Sequence, residues 1–206
     1  MFARVTWFQS PPDGIDAATS SYQQNAAPAL AKMPGNVGTA LLIDRATGAG
    51  AAISYWDSQD SLQASEERAG SLRAQVAAEG SMTVGDIDRF DVIIQERSAP
   101  AAANTFVRLN DLRVSPDKIE SVANIIRETL PTLTAQKGFR AVLAGANRQT
   151  GRMFVGSVWA TAADREASDA AVKEQRGKAA QAGGADTVKL DLYDVAYADI
   201  KQATRA

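Results

Sequence analysis

The chain has 206 residues, 45% of them apolar, a formal net charge of −2, and neither cysteine nor histidine. Without cysteine there are no disulfides, thiolate nucleophiles or thiolate metal sites. Without histidine, a Ser-His-Asp triad and a His-ligated metal or haem cannot be built from this chain alone. Lys and Arg are interspersed with Asp and Glu rather than clustered, so no nucleic-acid partner is expected. No apolar run approaches the ~20 residues of a membrane span. Met1-Phe2-Ala3-Arg4-Val5 lacks the basic and apolar pattern of a signal peptide, and a cytoplasmic protein without membrane partners is expected.

In chain order, Phe2–Phe8 is rich in strand formers and ends at the turn residues Ser10 to Gly14. Ile15, Ala18, Tyr22, Ala29, Leu30 and Met33 then recur at helical spacing. Pro28 lies inside that pattern and, lacking an N–H, predicts a kink or the start of a second short helix. Gly38–Asp44 and Gly50–Trp56 read as strands of a hairpin turning at Ala46-Thr47-Gly48. Asp57 or Ser58 is placed to cap a helix with the stripe Leu62, Ala69, Leu72 and Val76. Asp86–Gln95 reads as a closing strand.

The same order then recurs. Thr105–Leu112 is a strand, and Ser115-Pro116-Asp117 opens a helix with Ile119, Val122, Ile126, Leu130 and Leu133 on one face. Pro131 stands where Pro28 does, and its kink is expected again. Arg140–Ala146 and Met153–Trp159 are strands, Ala163–Gln181 is a more polar helix expected to bury less, and Thr187–Tyr197 is the last strand. At an offset of 103 residues, the 68 positions from Pro28 to Gln95 share sixteen identities with Pro131 to Ala198. Chance in an Ala-rich chain gives about five. The matches include Arg45-x-Thr47-Gly48 with Arg148-x-Thr150-Gly151, and Ser54-x-Trp56 with Ser157-x-Trp159.

Each copy is thus β-α-β-β-α-β, a ferredoxin-like unit with both helices on one face of a four-stranded antiparallel sheet. Two fused copies cover their bare faces by packing sheet to sheet, so the expected fold is α+β, a pseudo-dimeric α+β barrel. The expected division is residues 1–97 and 105–200, with a linker at 98–104 and a tail at 201–206. Further homo-oligomerisation is left open.

Ser54-x-Trp56-x-Ser58 and the helix containing Ala64-Ser65 resemble the dimeric α+β barrel superfamily, nearest its antibiotic biosynthesis monooxygenase-like group. The resemblance spans nearly the whole chain as a tandem duplication. It implies that Trp56 and Trp159 occupy the group's recurrent Trp position at the end of the third strand. Asn110-Asp111-Leu112-Arg113-Val114 is similar to the first strand of the haem-degrading branch, with Thr6 at the Asn110 position in copy one. That branch needs a haem-ligating histidine on the second helix, which is missing, so the resemblance implies no haem and no other cofactor. A cofactor-independent monooxygenase acting on a small aromatic or quinone-like molecule is the implied function. The alternatives are a non-enzymatic small-molecule-binding or stress-related barrel, and an isomerase or cyclase acting on an enolisable substrate.

Strand alternation puts Arg4, Thr6 and Phe8 on one face, and Arg108, Asn110 and Leu112 on its counterpart. The opposite face, with Val5 and Trp7 or Val107 and Leu109, is more apolar and is expected beneath the helices. The polar face is then expected to look into the barrel interior. Arg4 and Arg108, with Thr6, Ser54 and Ser157, are the candidate substrate-binding residues, since guanidinium groups suit an anionic or phenolic ligand. The competing reading pairs the arginines with Asp88, Asp91, Asp191 or Asp194. Asn110, Trp56 and Trp159 are the candidate catalytic residues, the tryptophans as walls for an aromatic ligand or else as core. The charge alternations Glu66-Glu67-Arg68 and Asp164-Arg165-Glu166 read as solvated helix faces.

Overall fold

A computed structural model describes residues 1–184 and 188–201. Among the described residues, eight strands carry the fold: β1 (Phe2–Gln9), β2 (Asn36–Ile43), β3 (Ala49–Trp56), β4 (Thr83–Arg97), β5 (Phe106–Arg113), β6 (Phe139–Ala146), β7 (Arg152–Trp159) and β8 (Val188–Ile200). Between β1 and β2 lie α1 (Ile15–Ser21), a π-helical turn at Tyr22–Ala26, and α2 (Ala27–Ala31). Between β3 and β4 come α3 (Gln59–Ala64) and α4 (Glu66–Glu79). The second copy has α5 (Ile119–Thr134), then α6 (Ala162–Ala167) and α7 (Asp169–Gly183). The strands follow one closed antiparallel order, β1-β3-β2-β8-β5-β7-β6-β4, the eight-stranded barrel order expected of two fused ferredoxin-like copies. The end of the expected last strand at Thr187 and the tail beyond Lys201 lie outside the described residues.

The first compact unit contains Met1–Arg89, Ala101–Asn104 and the chain from Tyr193 onward; the second contains Phe90–Pro100 and Thr105–Leu192. The boundaries therefore cut through β4 and β8, where the sequence reading let each copy end on its own closing strand. β4 is 15 residues long. Its first half borders β1, and its second half pairs with β6 from Asp91↔Ala146 to Arg97↔Ala141. β8 likewise borders β5 and then pairs with β2 from Asp194↔Ile43 to Ile200↔Gly38. A strand of that length has more backbone donors and acceptors than one eight-residue neighbour satisfies, and the excess pairs with a second strand.

Pro28 sits at the start of α2, just after the π turn, where its missing N–H costs little. Pro131 does not repeat the break: α5 remains one helix through Thr134. Only one turn follows Pro131, so little helix lies beyond it to be redirected. The two hairpins are closed alike. Asp44 accepts from Ala46 N and Thr47 Oγ1, and Asn147 Oδ1 accepts from the backbone of Gln149 and Thr150. Gly48 (φ 78°) and Gly151 (φ 72°) end these turns, and their carbonyls accept from Ser10 N and Val114 N at 2.9 Å. A Cβ at either glycine would overlap the carbonyl oxygen of Ser10 or Val114. The shared Thr-Gly is thus a close-approach point as well as a turn.

In the first unit the core beneath the helices joins Phe8, Ile15, Tyr22, Leu41, Trp56 and Leu72. In the second, Leu112, Val122, Ile126 and Met153 form one cluster, and Phe139, Trp159 and Val172 another. α7 buries Val172 and Gly183, against Ala69, Leu72 and Val76 on α4, as its polar sequence leads one to expect.

Candidate functional site

Each second helix is bent at a serine, and that bend builds the site. Ser65 separates α3 from α4, and its Oγ donates to Leu62 O at 2.7 Å. This i to i−3 bond competes with the helical ladder and tightens the chain there. Arg4 reaches up from β1 and donates through Nη2 to the same Leu62 O (2.6 Å) and to Ser65 Oγ (2.9 Å). The second unit repeats the arrangement. Ser168 Oγ donates to Arg165 O at 2.7 Å, and Arg108 donates to Ser168 Oγ at 3.0 Å and to Arg165 O.

The first residue of the helix beyond each bend is acidic, and it faces the arginine. Arg4 lies 3.0 Å from Glu66, which also takes Arg73 at 2.6 Å and Arg89 at 2.7 Å. Arg108 lies 3.7 Å from Asp169, which takes Arg176 at 2.9 Å. Burial pushes the Glu66 carboxyl up, but hydrogen bonds from Arg73 and Arg89 and the charge of Arg4 outweigh it and hold it at about 2. The hydrogen bond from Arg176 lowers Asp169 against a smaller opposing effect of burial. Burial lowers Arg4 and Arg108, while Glu66 and Asp169 pull them back up. The partners are therefore not Asp88, Asp91, Asp191 or Asp194. Asp88 accepts from Trp7 Nε1, Asp91 meets Arg148, and Asp191 meets Lys189. Glu66 and Arg165 are not solvated helix-face charges either: Glu66 anchors three arginines and Arg165 is buried. The in-register recurrence of Glu66 and Arg73 as Asp169 and Arg176 was the sequence signal for this role.

The face carrying these arginines lies under the helices, reversing the expected orientation. In the second unit Arg108, Asn110 and Ser157 line a pocket closed by Val122, Ile126 and Leu133 of α5 and by Val172, Gln175 and Arg176 of α7. In the first, Arg4, Thr6 and Ser54 line a pocket under Tyr22, Leu30, Leu72 and Arg73. The reason is that both faces are buried. Val5, Val107 and Leu109 are as well covered as Arg4 and Arg108, so polarity could not tell which face the helices take. The pockets measure about 80 Å³ in the second unit and about 50 Å³ in the first. Each exceeds several-fold the ~10–15 Å³ that lodges one water.

Asn110 lies in the middle of β5, paired with Val155. Its Nδ2 donates weakly to Val155 O at 3.3 Å, and its Oδ1 is buried with no partner. Gln175 Oε1 is a second orphaned acceptor on the same pocket, and sequence reading missed it on a polar helix. Neither Trp56 nor Trp159 is among the lining residues; both are fully buried core side chains. Trp56 Nε1 donates to Ser54 Oγ and Trp159 Nε1 to Ser157 Oγ, each at 3.0 Å, so the tryptophans set the two serines that do line the pockets. Arg4 also lies over the Trp56 ring, 5.7 Å from its centroid. Among the described residues there is no cluster of His, Cys, Asp and Glu suited to a metal, and no helix long and apolar enough to cross a membrane.

No family model matches the chain. An uncharacterised protein of Mycobacterium tuberculosis strain H37Rv, Rv2558, is 26% identical over 209 residues, covering 98% of this chain and 86% of that protein. Among solved structures, a proposed monooxygenase of Fusobacterium nucleatum superposes with a TM-score of 0.74 at 15% identity, covering 98% of this chain and 95% of its own. An anthrone oxidase-like protein superposes with a TM-score of 0.72 at 13% identity, covering all of this chain and 95% of its own. At such identities the likeness is one of fold. The chain carries the tandem α+β barrel fold seen in these monooxygenase-like proteins.

Proposed function

We propose that the pocket of the second unit binds a small hydroxylated, enolisable aromatic molecule and oxygenates it without a cofactor. The observation that carries this reading is the buried, unpartnered Oδ1 of Asn110 on an otherwise apolar pocket that also holds Arg108 and Arg176. An orphaned acceptor of this kind costs about 1–3 kcal/mol unless a ligand hydroxyl donates to it. The apolar walls suit an aromatic body, and the two guanidinium groups favour the ligand's anionic form. Asn110 accepts the ring O–H before proton loss. By turning its amide it offers Nδ2–H to the oxygen afterwards.

The enolate or phenolate is itself the reductant. It passes an electron to O2, the resulting radicals combine, and loss of water leaves a carbonyl. For a methylene substrate, CH2 and O2 become C=O and H2O, which balances with no external electron donor. The protein binds the substrate, stabilises the anion while its proton leaves to water, and excludes bulk solvent. The structural likeness to an anthrone oxidase-like protein supports this class of substrate. Oxygen uptake with anthrone- and quinol-type compounds tests it. Wild type should consume oxygen, and Asn110→Ala should lower kcat/KM about 100-fold, the usual effect of removing one stabilising group at a developing oxyanion. Ligand-induced thermal stabilisation without uptake would establish binding alone, and neither effect across the panel would sink the proposal.

A further inference from the structure

We propose that the pocket of the first unit is a separate binding site for a small apolar monocarboxylate, of benzoate size or below. Its unpartnered polar groups differ from those of the second pocket, which holds Arg108 and Arg176 as well as two orphaned acceptors. There the unpartnered groups include the acceptors Asn110 Oδ1 and Gln175 Oε1. On the lining of the first pocket they are donors: Arg4 Nε and Nη1 and Arg73 Nη1 are all buried without a hydrogen-bond partner. Arg4 is 2% exposed, so bulk solvent does not reach its nitrogens. The Trp56 ring, its centroid 5.7 Å from the guanidinium carbon, has no acceptor lone pair to offer them. Leaving such charged donors unmet is costly, and a carboxylate is the complement that satisfies two at once.

Charge points the same way. Arg4, Arg73 and Arg89 all engage the one carboxylate of Glu66, so these four side chains are cationic in sum. Size and shape define the rest of the ligand. Phe8 stands where the other copy has Leu112, Thr6 replaces Asn110, and Tyr22 closes the top. Burial pushes the Tyr22 phenol up, so it stays neutral and adds no competing anion. The result is a smaller cavity with apolar walls and a cationic floor, lacking the amide of the proposed oxygenation site. Duplication has kept two pockets and diverged them.

The test uses the full chain labelled with 5-fluorotryptophan. Its three fluorine resonances, one for each of Trp7, Trp56 and Trp159, are assigned by single Trp→Phe variants. Titration with benzoate or butyrate should shift the Trp56 resonance saturably, because that ring lies against Arg4. Arg73→Ala should weaken this binding by about tenfold or more. Ala69→Leu, which fills the pocket wall from α4, should abolish it, with thermal melting as the check on folding. Asn110→Ala should leave it unchanged, so failure here and failure of the proposed oxygenation are read separately. The proposal is overturned if Trp56 shows no saturable shift up to about 10 mM ligand, a very weak affinity. It is equally overturned if only Trp159 responds, or if the shift survives both Arg73→Ala and Ala69→Leu.

Discussion

Arg4 and Glu66 meet at 3.0 Å, the arginine sealed from solvent and the carboxylate about one-third exposed. The pair joins the first strand to the second helix, and the counterpart in the other copy is Arg108 with Asp169 at 3.7 Å. Removing the carboxylate leaves a buried guanidinium uncompensated. Breaking a fully buried pair costs about 3–5 kcal/mol, and the partial exposure of Glu66 brings that to about 2 kcal/mol for Glu66→Gln. Urea unfolding at neutral pH measures it. Asp169→Asn, at the longer and more exposed pair, should cost less.

The same carboxylate makes the fold acid-sensitive. Glu66 titrates at about 2 in the folded protein against an ordinary 4.5. Its folded value is depressed, so its stabilisation is fully present above about pH 4.5 and is lost as pH falls toward about 2. After discount for solvent screening this amounts to about 1–2 kcal/mol. Wild type should lose that much between pH 5 and pH 2.5 in excess of Glu66→Gln, which has no proton to take up at that position. Parallel denaturation curves of the two proteins across this range would decide it.

The tryptophans should behave as positioning residues. Trp159→Phe keeps most of the ring volume and removes the bond to Ser157 Oγ. About 1–2 kcal/mol of stability should be lost. The effect on oxygen uptake should be within about tenfold, against about 100-fold for Asn110→Ala. A larger loss of kcat in Trp159→Phe than in Asn110→Ala would reassign the catalytic role to the indole.

The glycines that close the hairpins should tolerate no side chain. Gly48→Ala and Gly151→Ala each combine a positive φ with overlap on a neighbouring carbonyl. A cost of about 2–4 kcal/mol is expected for each, visible as a lowered melting temperature. Arg45→Ala, three residues before Gly48 and exposed in a surface ion pair with Asp16, should change stability by less than about 1 kcal/mol.

The sequence by itself determined the duplication, the β-α-β-β-α-β order, a cap at Asp57 or Ser58 (Ser58 takes it), the hairpin glycines and the second short helix at Pro28. These are local: spacing, capping groups and backbone permission act between residues close in the chain. It also singled out Arg4, Arg108, Thr6, Asn110, Ser54 and Ser157, which the fold gathers in two pockets. Only the tertiary structure decided which face of each sheet meets the helices. Alternation separates two faces, but Val5, Val107 and Leu109 are as buried as Arg4 and Arg108, so polarity did not mark the solvent side. It also decided the arginine partners. Glu66 lies 62 positions from Arg4, and a serine hydroxyl bends the helix between Ala64 and Glu66 and brings it there. The pairing of β4 with β6 and of β8 with β2 was likewise invisible locally, because the partner of the second half of a long strand is chosen by unsatisfied backbone groups far along the chain.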